Sequence, residues 1–486
     1  MRKSITKSVI WKFLERIGVT GGQFVLQIVL ARILSPENYG TLAIMLIFTS
    51  LATTFVQSGF GSALVQNKDV DENDYSSVFW ISFFIAAILY VVIFFSAPFI
   101  GRFYNMPDIV SPLRVLALTL FSGALNSVQN ARVNRAMDFR KTFNSNVIAI
   151  IVSGVVGIVL ALLGAGVWAL VANAVVNSIV ICVVMRVTVN LKLRLYVDFK
   201  RVKTLFSFSW KLLVSSLIDT LYTDLRSLVI GKRFNSETLG FYDKGKAFPK
   251  LLITSFNTAV QSVMFSALSA EQDDKKRAKN LMRSSIIVST FLVFPAMVGL
   301  AAVAEPVVLL LLGSKWLPAV PFMQIYCLTF AFYPIHTCNL QAINAIGRSD
   351  IFLKLEIIKK SYGLLSIAIA VIFFDTPVAI ALTGLITTFI SSFVNASPNK
   401  KLIGYAYSEQ IWDILPALLC AIVMGAGVIG LSYIPLHPFI KLPVQIIAGI
   451  IIYLAEAYIF KLNGFDLAKR VLINLLKRPK KTEKTL

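Results

Sequence analysis

The chain has 486 residues, of which 57% are hydrophobic and only 15% are charged. Apolar blocks of about 20 residues follow one another, which excludes a soluble globular protein, whose segments would be amphipathic. A net charge of +22 would suggest nucleic acid as the partner of a soluble protein. Here much of the basic excess lies in short loops and the C-terminal tail, as the positive-inside rule requires, so no nucleic-acid partner is expected.

The apolar segments predict an all-α polytopic membrane protein with about 14 transmembrane helices. They lie near residues 12–34, 41–64, 78–100, 111–130, 144–163, 167–186, 205–230, 247–268, 285–312, 320–345, 356–374, 377–396, 412–433 and 443–460. Basic residues accumulate in alternate loops and in the tail, which predicts that both termini are cytoplasmic.

The chain carries its first third twice. Trp11-Lys12 is echoed by Trp210-Lys211, and Glu37–Gly40 by Glu237–Gly240. A period of about 200 residues contains six spans, an even number, so both copies enter the membrane from the same side and form a parallel repeat. The sequence therefore predicts two six-helix lobes around a central cavity, with two extra helices at the C-terminus.

This repeat also predicts the domain boundaries. They are an N-terminal lobe over 1–190, a basic cytoplasmic linker over 191–204, a C-terminal lobe over 205–400, additional helices over 401–461, and a basic cytoplasmic tail over 462–486.

Three of the predicted spans carry a polar stripe about 80° wide at the helical step of about 100° per residue. The stripes consist of Lys12, Arg16, Thr20, Gln23 and Gln27 in the first span, Lys211, Ser215, Asp219, Tyr222 and Arg226 in the seventh, and Lys246, Lys250, Thr254, Asn257 and Gln261 in the eighth. A charged side chain at the bilayer centre costs at least about 2.5–3.5 kcal/mol. The inner members should therefore face a partner or a wet cavity.

The candidate substrate-binding residues come from these stripes. They are Arg16, Gln27, Lys211, Arg226, Lys246, Lys250, Asn257 and Gln261. Cations outnumber the acidic residues Asp219 and Asp224, the candidates for ion coupling. Arginine and lysine among neutral hydrogen-bonding groups suit phosphate oxygens and sugar hydroxyls, which predicts an anionic, polar ligand. The alternative for Asp219 is a purely structural bridge to Arg226 or Lys211.

Catalytic motifs are not found in the sequence. There is no glycine-rich phosphate loop, and the only histidines are His336, interpreted as a packing residue, and His437. The acidic run from Asp69 to Asp74 is interpreted as a solvated cytoplasmic loop. We therefore expect a transporter that is not an enzyme, with no cofactor and no metal site.

Four sequence segments, Ala31–Gly40, Ser58–Gln66, Asp224–Gly231 and Leu239–Asp243, carry a family resemblance. The first two resemble the N-terminal region, and the last two the start of the second lobe, of the polysaccharide transporter family of flippases, in the multidrug/oligosaccharidyl-lipid/polysaccharide exporter superfamily. The resemblance covers essentially the whole chain, including the layout of fourteen spans.

The resemblance implies a multi-pass protein of the bacterial inner membrane. Such a protein flips an undecaprenyl-diphosphate-linked oligosaccharide for exopolysaccharide, capsule or O-antigen synthesis, by alternating access. Its partners would be this lipid-linked oligosaccharide, membrane lipid and the polysaccharide polymerase machinery. The resemblance also implies that a proton or sodium gradient drives transport in some relatives. For this coupling, the family's aspartates at the start of the second lobe match Asp224, whereas the polar stripe of the seventh span favours Asp219.

On this hypothesis Arg16, Lys211, Arg226 and Lys250 hold the diphosphate, and Gln27, Asn257 and Gln261 hold the sugars. Two alternatives stay open. A multidrug antiporter exporting organic cations would share the fold but should have an acidic cavity. A membrane enzyme acting on lipid-linked sugars would need a catalytic residue set in a loop.

Overall fold

The computed structural model describes residues 2–57, 60–66, 69–271, 274–435 and 437–476, and over these the chain is helical, with no β-strand. By contact density it divides into two compact units, Met1–Asp243 and Lys244–Leu486. These units are defined by contacts, whereas the predicted lobes over 1–190 and 205–400 are defined by the sequence repeat. The predicted lobe boundaries therefore stay predictions. Two predicted features extend beyond the described residues: the start of the motif at 58–66, and the basic tail from 477 onward.

The first unit contains nine complete helices within its described residues and the start of a tenth. They are α1 (Arg2–Ile33), α2 (Pro36–Gln57), α3 (Phe60–Gln66), α4 (Glu72–Tyr104), α5 (Val110–Leu116), α6 (Thr119–Ala136), α7 (Phe139–Leu162), α8 (Val167–Thr188), α9 (Phe199–Arg233) and α10 (Ser236–Ala270).

Helix α7 packs between α1 and α8, and small residues allow the close approach. A Cβ atom added at Gly154 would lie 3.2 Å from a methyl group of Leu26 in α1, and one at Gly157 would lie 3.0 Å from Cβ of Asn173 in α8. Larger residues at these positions would push the three helices apart.

A close backbone contact in the first unit joins the N-terminal turns of α2 and α10. A Cβ atom at Gly40 would lie 1.6 Å from the carbonyl oxygen of Ser236, and one at Gly240 would lie 2.0 Å from that of Pro36. Only glycine fits at either position. This contact gives a physical reason for the repeated segments 37–40 and 237–240, because the two related glycines meet each other.

Asp69 and Asp71 are exposed in the loop before α4, but the interpretation of the acidic run as a solvated loop is wrong for Asp74, which lies inside α4. Asp71 caps α4 by accepting a hydrogen bond from the Asp74 backbone N–H at 2.8 Å, and the Asp74 carboxylate accepts one from the Asp71 N–H at 3.1 Å. Asp74 is only 3% exposed and also pairs with Arg201 of α9 at 3.1 Å. The run is therefore a capping box and an anchor for α9.

The second unit contains the rest of α10 and ten further helices in its described part. They are α11 (Lys275–Ala302), α12 (Ala304–Leu311), α13 (Val320–Ala331), α14 (Tyr333–Ala345), α15 (Ser349–Phe373), α16 (Pro377–Ala396), α17 (Asn399–Ile403), α18 (Tyr407–Gly430), α19 (Pro438–Ile459) and α20 (Asn463–Leu476). Helix α11 is central and contacts α13, α14, α18 and α20.

Ion pairs fasten α18, the first of the two extra C-terminal helices, to α11. Arg283 pairs with Asp413, and Lys279 with Glu409, each at 2.6 Å. The Tyr405 hydroxyl donates a hydrogen bond to Asp413 at 2.7 Å. Burial raises the pKa of Tyr405, and Asp413 beside it adds to this effect, so the hydroxyl keeps its proton and continues to donate.

Buried amides add a second connection between α18 and the rest of the unit. Asn339 donates to Oε1 of Gln410 at 2.8 Å, and Asn399 donates to Oδ1 of Asn339 at 2.7 Å. All three side chains are at most 1% exposed. The extra helices are thus an integral part of the second unit.

Ten helical segments of the described chain are long and apolar enough to cross a membrane. The protein is therefore a multi-pass membrane protein. Helices α1, α9, α10 and α15 are as long as these spans but are not among the ten. Three of the four carry the predicted polar stripes.

Candidate functional site

The residues of the polar stripe on α9 follow one another along this single helix, within the first unit. Lys211 and Asp219 are exposed, and Asp224 is half-buried. Arg226 is only 8% exposed, and its guanidinium lies 6.0 Å from the centroid of the Tyr222 ring. The helix is continuous from Phe199 to Arg233, so Lys211 and Arg226 lie about 22 Å apart along its axis. One diphosphate group can therefore contact only one of these cations at a time.

Helix α10 carries the second stripe, all within the second unit. A Cβ atom at Gly245 would lie 2.7 Å from the carbonyl oxygen of Ala319, so glycine lets this part of α10 rest on the start of α13. The neighbouring Lys246 is half-buried, with Nζ 5.8 Å from the centroid of the Tyr326 ring. One turn later Lys250 is exposed.

The amides of this stripe lie further along α10. Asn257 is half-buried and its Oδ1 accepts a hydrogen bond from the Thr337 hydroxyl at 2.6 Å. Its N–H groups lie outside that bond. Gln261 is exposed. The structure thus places two lysines and two amides on one helix, with the amides about two and three turns beyond Lys250. This spacing suits a headgroup followed by sugars.

In the first unit, Gln27 of α1 lines a cavity of about 220 Å³ between α1, α7 and α8. Its backbone carbonyl accepts a hydrogen bond from the Tyr39 hydroxyl at 3.4 Å. Arg16 belongs to the same helix, but its side chain lies outside the described residues. Asn173 and Asn177, which line the same cavity, were missed by the sequence analysis. Two asparagines four residues apart in an apolar span could have indicated them.

An apolar groove runs along the second unit. It has a volume of about 460 Å³, and its walls come from α10, α11, α12, α18 and α19, with Leu252, Phe291, Pro295, Met424 and Ile450 among the lining residues. Gln445 is the main polar side chain in the lining, and its amide nitrogen donates to Ser432 and to the Val428 carbonyl. The groove suits a hydrocarbon chain.

The described residues contain no group of three or more His, Cys, Asp or Glu side chains placed to hold a metal ion. His336 lies at hydrogen-bonding distance from Asn395, 3.1 Å between the ring Nδ1 and the amide nitrogen. It is therefore a partnered packing residue, as predicted.

Solved structures share this fold. The lipid II flippase MurJ, in an inward closed conformation, superposes with a TM-score of 0.73 at 18% identity, covering 94% of this chain and 98% of that chain. A multidrug resistance MATE family transporter of the MOP superfamily, in an inward-facing conformation, gives 0.60 at 15% identity, covering 80% and 98%. The chain therefore has a multi-pass helical fold that it shares with these two solved proteins.

Sequence comparison gives the family. Residues 29–321, more than half of the chain, match the family described as polysaccharide biosynthesis protein, and the chain belongs to that family. A relative, the succinoglycan biosynthesis transport protein ExoT of Rhizobium meliloti, is 28% identical over 327 residues. The alignment covers 67% of this chain and 66% of ExoT, so the chain spans slightly less than two thirds of that relative's length.

Proposed function

We propose that this chain is a flippase that moves a lipid-linked oligosaccharide across the membrane for polysaccharide synthesis. The observation that carries the proposal is the pair of basic stripes on α9 and α10, in a chain of a polysaccharide biosynthesis family with the MOP fold. The chain is a transporter and not an enzyme. Its cargo joins a phosphate group to sugars, and the stripes offer cations for the first and amides for the second.

The proposed topology has fourteen spans, namely the ten apolar ones with α1, α9, α10 and α15. The sequence repeat supports two six-helix lobes around a cavity, followed by the two extra helices. Three of the four added spans carry polar stripes, which is the arrangement expected for helices lining a translocation path. The positive-inside bias supports cytoplasmic termini, and the resemblance to polysaccharide flippases supports a location in a bacterial inner membrane.

The proposed path is stepwise. The diphosphate passes from Lys211 towards Arg226 on α9, because the two cations are about 22 Å apart, and Lys246 and Lys250 serve it from α10. Arg16 contributes at α1, while Gln27, Asn257 and Gln261 hydrogen-bond the sugars. The prenyl tail remains in hydrocarbon, for which the apolar groove of the second unit is a suitable surface.

Alternating access needs a contact that closes and opens. The crossing at Gly40 and Gly240 is a candidate, because a backbone contact between two helix ends can separate without exposing a large apolar core. Asp219 or Asp224 would couple this movement to a proton or sodium gradient, with no other cofactor. The polysaccharide polymerase is proposed to receive the flipped product.

The test is a deletion strain of a polysaccharide-producing host. Loss of the chain should abolish surface polysaccharide and cause the lipid-linked oligosaccharide to accumulate in the cytoplasmic leaflet, and its mass identifies the sugars. Normal polysaccharide with no accumulated intermediate would refute the function.

The second candidate, a multidrug antiporter for organic cations, is favoured by the fold shared with the MATE transporter. The excess of lysine and arginine on α9 and α10 argues against it, because it repels a cationic drug. A drug-susceptibility panel with and without the gene separates the two: unchanged susceptibility is expected here.

A further inference from the structure

The cavity between α1, α7 and α8 is lined by amides, and no ionisable side chain lines it among the residues that the structure describes. Gln23 and Gln27 come from α1, and Asn173 and Asn177 from α8; the remaining wall includes Leu26 and Ile150. Four amides from two helices therefore converge on one space of about 220 Å³ inside the membrane-spanning part of the first unit. We call this space the amide chamber.

The chamber is preorganised by α7. Asn173 donates a hydrogen bond from Nδ2 to the Ser153 carbonyl at 2.9 Å, and Asn177 donates one to the Ser153 hydroxyl at 3.2 Å. Ser153 is fully buried. Each asparagine is thus held in one orientation while its carbonyl oxygen and second N–H lie outside that bond. Fixed donors and acceptors bind a ligand at a lower entropic cost than mobile ones.

The chamber is accessible and polar, although it lies among membrane helices. Gln23 is exposed, and the other three amides are half-buried. Amide side chains are costly against hydrocarbon, so this cluster should face water or a polar ligand. Side-chain amides supply donors and acceptors together, which matches sugar hydroxyls and acetamido groups.

The volume of the amide chamber further restricts the size of the ligand that it can bind. Pockets for drug-sized ligands have volumes of about 300–1,000 Å³, so the chamber is smaller than these and suits a fragment such as one sugar ring. Apolar side chains such as Leu26 and Ile150 supply surface for the ring's C–H face.

We infer that the amide chamber binds one uncharged pyranose ring of the lipid-linked oligosaccharide, apart from the cations that bind the diphosphate. This inference rests on the proposed function and deepens it. It assigns Gln23, Asn173 and Asn177 to sugar recognition beside Gln27, with Ser153 as a positioning residue that holds the two asparagines.

The test compares two lipids bound to purified protein in lipid nanodiscs. One is undecaprenyl diphosphate, and the other is the lipid-linked oligosaccharide extracted from cells that lack the transporter. Gln23→Leu and Asn177→Leu should each weaken binding of the sugar-bearing lipid by about 3- to 10-fold, the loss of one or two neutral hydrogen bonds, and leave undecaprenyl diphosphate binding unchanged.

The matched control is Asn126→Leu. Asn126 is a half-buried amide of α6 that also bonds to α8, at the Ser178 carbonyl, but it does not line the chamber. It should bind both lipids as the wild type does. Gln23 is exposed, so Gln23→Leu keeps the test valid if Asn177→Leu lowers the yield of folded protein.

Each outcome has one meaning. Equal binding of both lipids by the wild type, or unchanged sugar-lipid binding in Gln23→Leu, overturns the inference while the proposed function stands. Wild-type protein that binds neither lipid overturns the proposed function and the inference with it.

Discussion

Charged residues serve two different purposes in two regions of this molecule. At the starts of α4, α11 and α18 they are paired: Asp74 with Arg201, and Asp413 with Arg283, each carboxylate less than 10% exposed. On α9 and α10, Lys211 and Lys250 are exposed along helices of membrane-spanning length. A buried carboxylate that is fully paired holds helices together, whereas an exposed cation in a span is available to a ligand. We therefore distinguish holding charges, which are ion pairs with a buried carboxylate, from carrying charges, which are the exposed cations that we propose contact the cargo.

The largest effect is expected from neutralising two cations of the α9 stripe, the exposed Lys211 and the buried Arg226. Lys211→Gln combined with Arg226→Gln should reduce surface polysaccharide at least about 10-fold, since two charge-assisted contacts to the cargo are lost. Protein in the membrane, measured by immunoblot, should stay at the wild-type level. Lys203→Gln, an exposed cation of the same helix outside the stripe, is the control. Wild-type polysaccharide in the double variant would remove both residues from the path.

The second-largest effect is expected from a substitution in the uncharged backbone contact between α2 and α10. Gly40→Ala places a Cβ atom 1.6 Å from the Ser236 carbonyl oxygen, so the α2–α10 crossing must separate. Transport should fall severalfold, and accessibility of a cysteine reporter at the crossing should rise. Gly123→Ala is the control, because a Cβ atom there meets nothing within 4 Å. If both alanine variants transport normally, the crossing is not a closing contact.

A holding charge should affect stability before it affects transport. Asp413→Asn removes the carboxylate shared by Arg283 and Tyr405 and should cost about 1–2 kcal/mol, because Arg283 is half exposed and partly screened. This should lower the melting temperature in detergent.

The control is Asp138→Asn, whose pair with Lys141 at 3.4 Å is exposed on both sides, and its expected cost is about 0–1 kcal/mol. Equal melting temperatures for the two variants would contradict the distinction between the two kinds of charge.

The smallest predicted effect concerns ion coupling. Asp219→Asn and Asp224→Asn remove one exposed and one half-buried carboxylate from α9. One of them should abolish the dependence of transport on a proton or sodium gradient, measured as the change in rate when the gradient is collapsed, while the other should leave it intact. If both variants keep the dependence, both aspartates are structural.

Hydrophobic periodicity predicted the helical, membrane-spanning character of the chain, because local sequence encodes it. The sequence also showed that Glu37–Gly40 is repeated at Glu237–Gly240, but it did not predict that Gly40 and Gly240 meet. The role of Asp74 did not follow, because its partner Arg201 lies 127 residues away. The chamber asparagines were also missed, since neutral amides in a span become significant only when a third helix, carrying Ser153, brings them into register.

The measurement that tests the central claim most directly is translocation in vesicles. Purified protein is reconstituted with the extracted lipid-linked oligosaccharide, and the fraction of sugar reached by a membrane-impermeant oxidant is followed in time. The wild type should bring the sugar in both leaflets within reach of the oxidant, and the Lys211→Gln, Arg226→Gln variant should leave the inner-leaflet half protected. Protection that is the same with wild type and with empty vesicles would contradict the claim that this chain flips lipid-linked sugars.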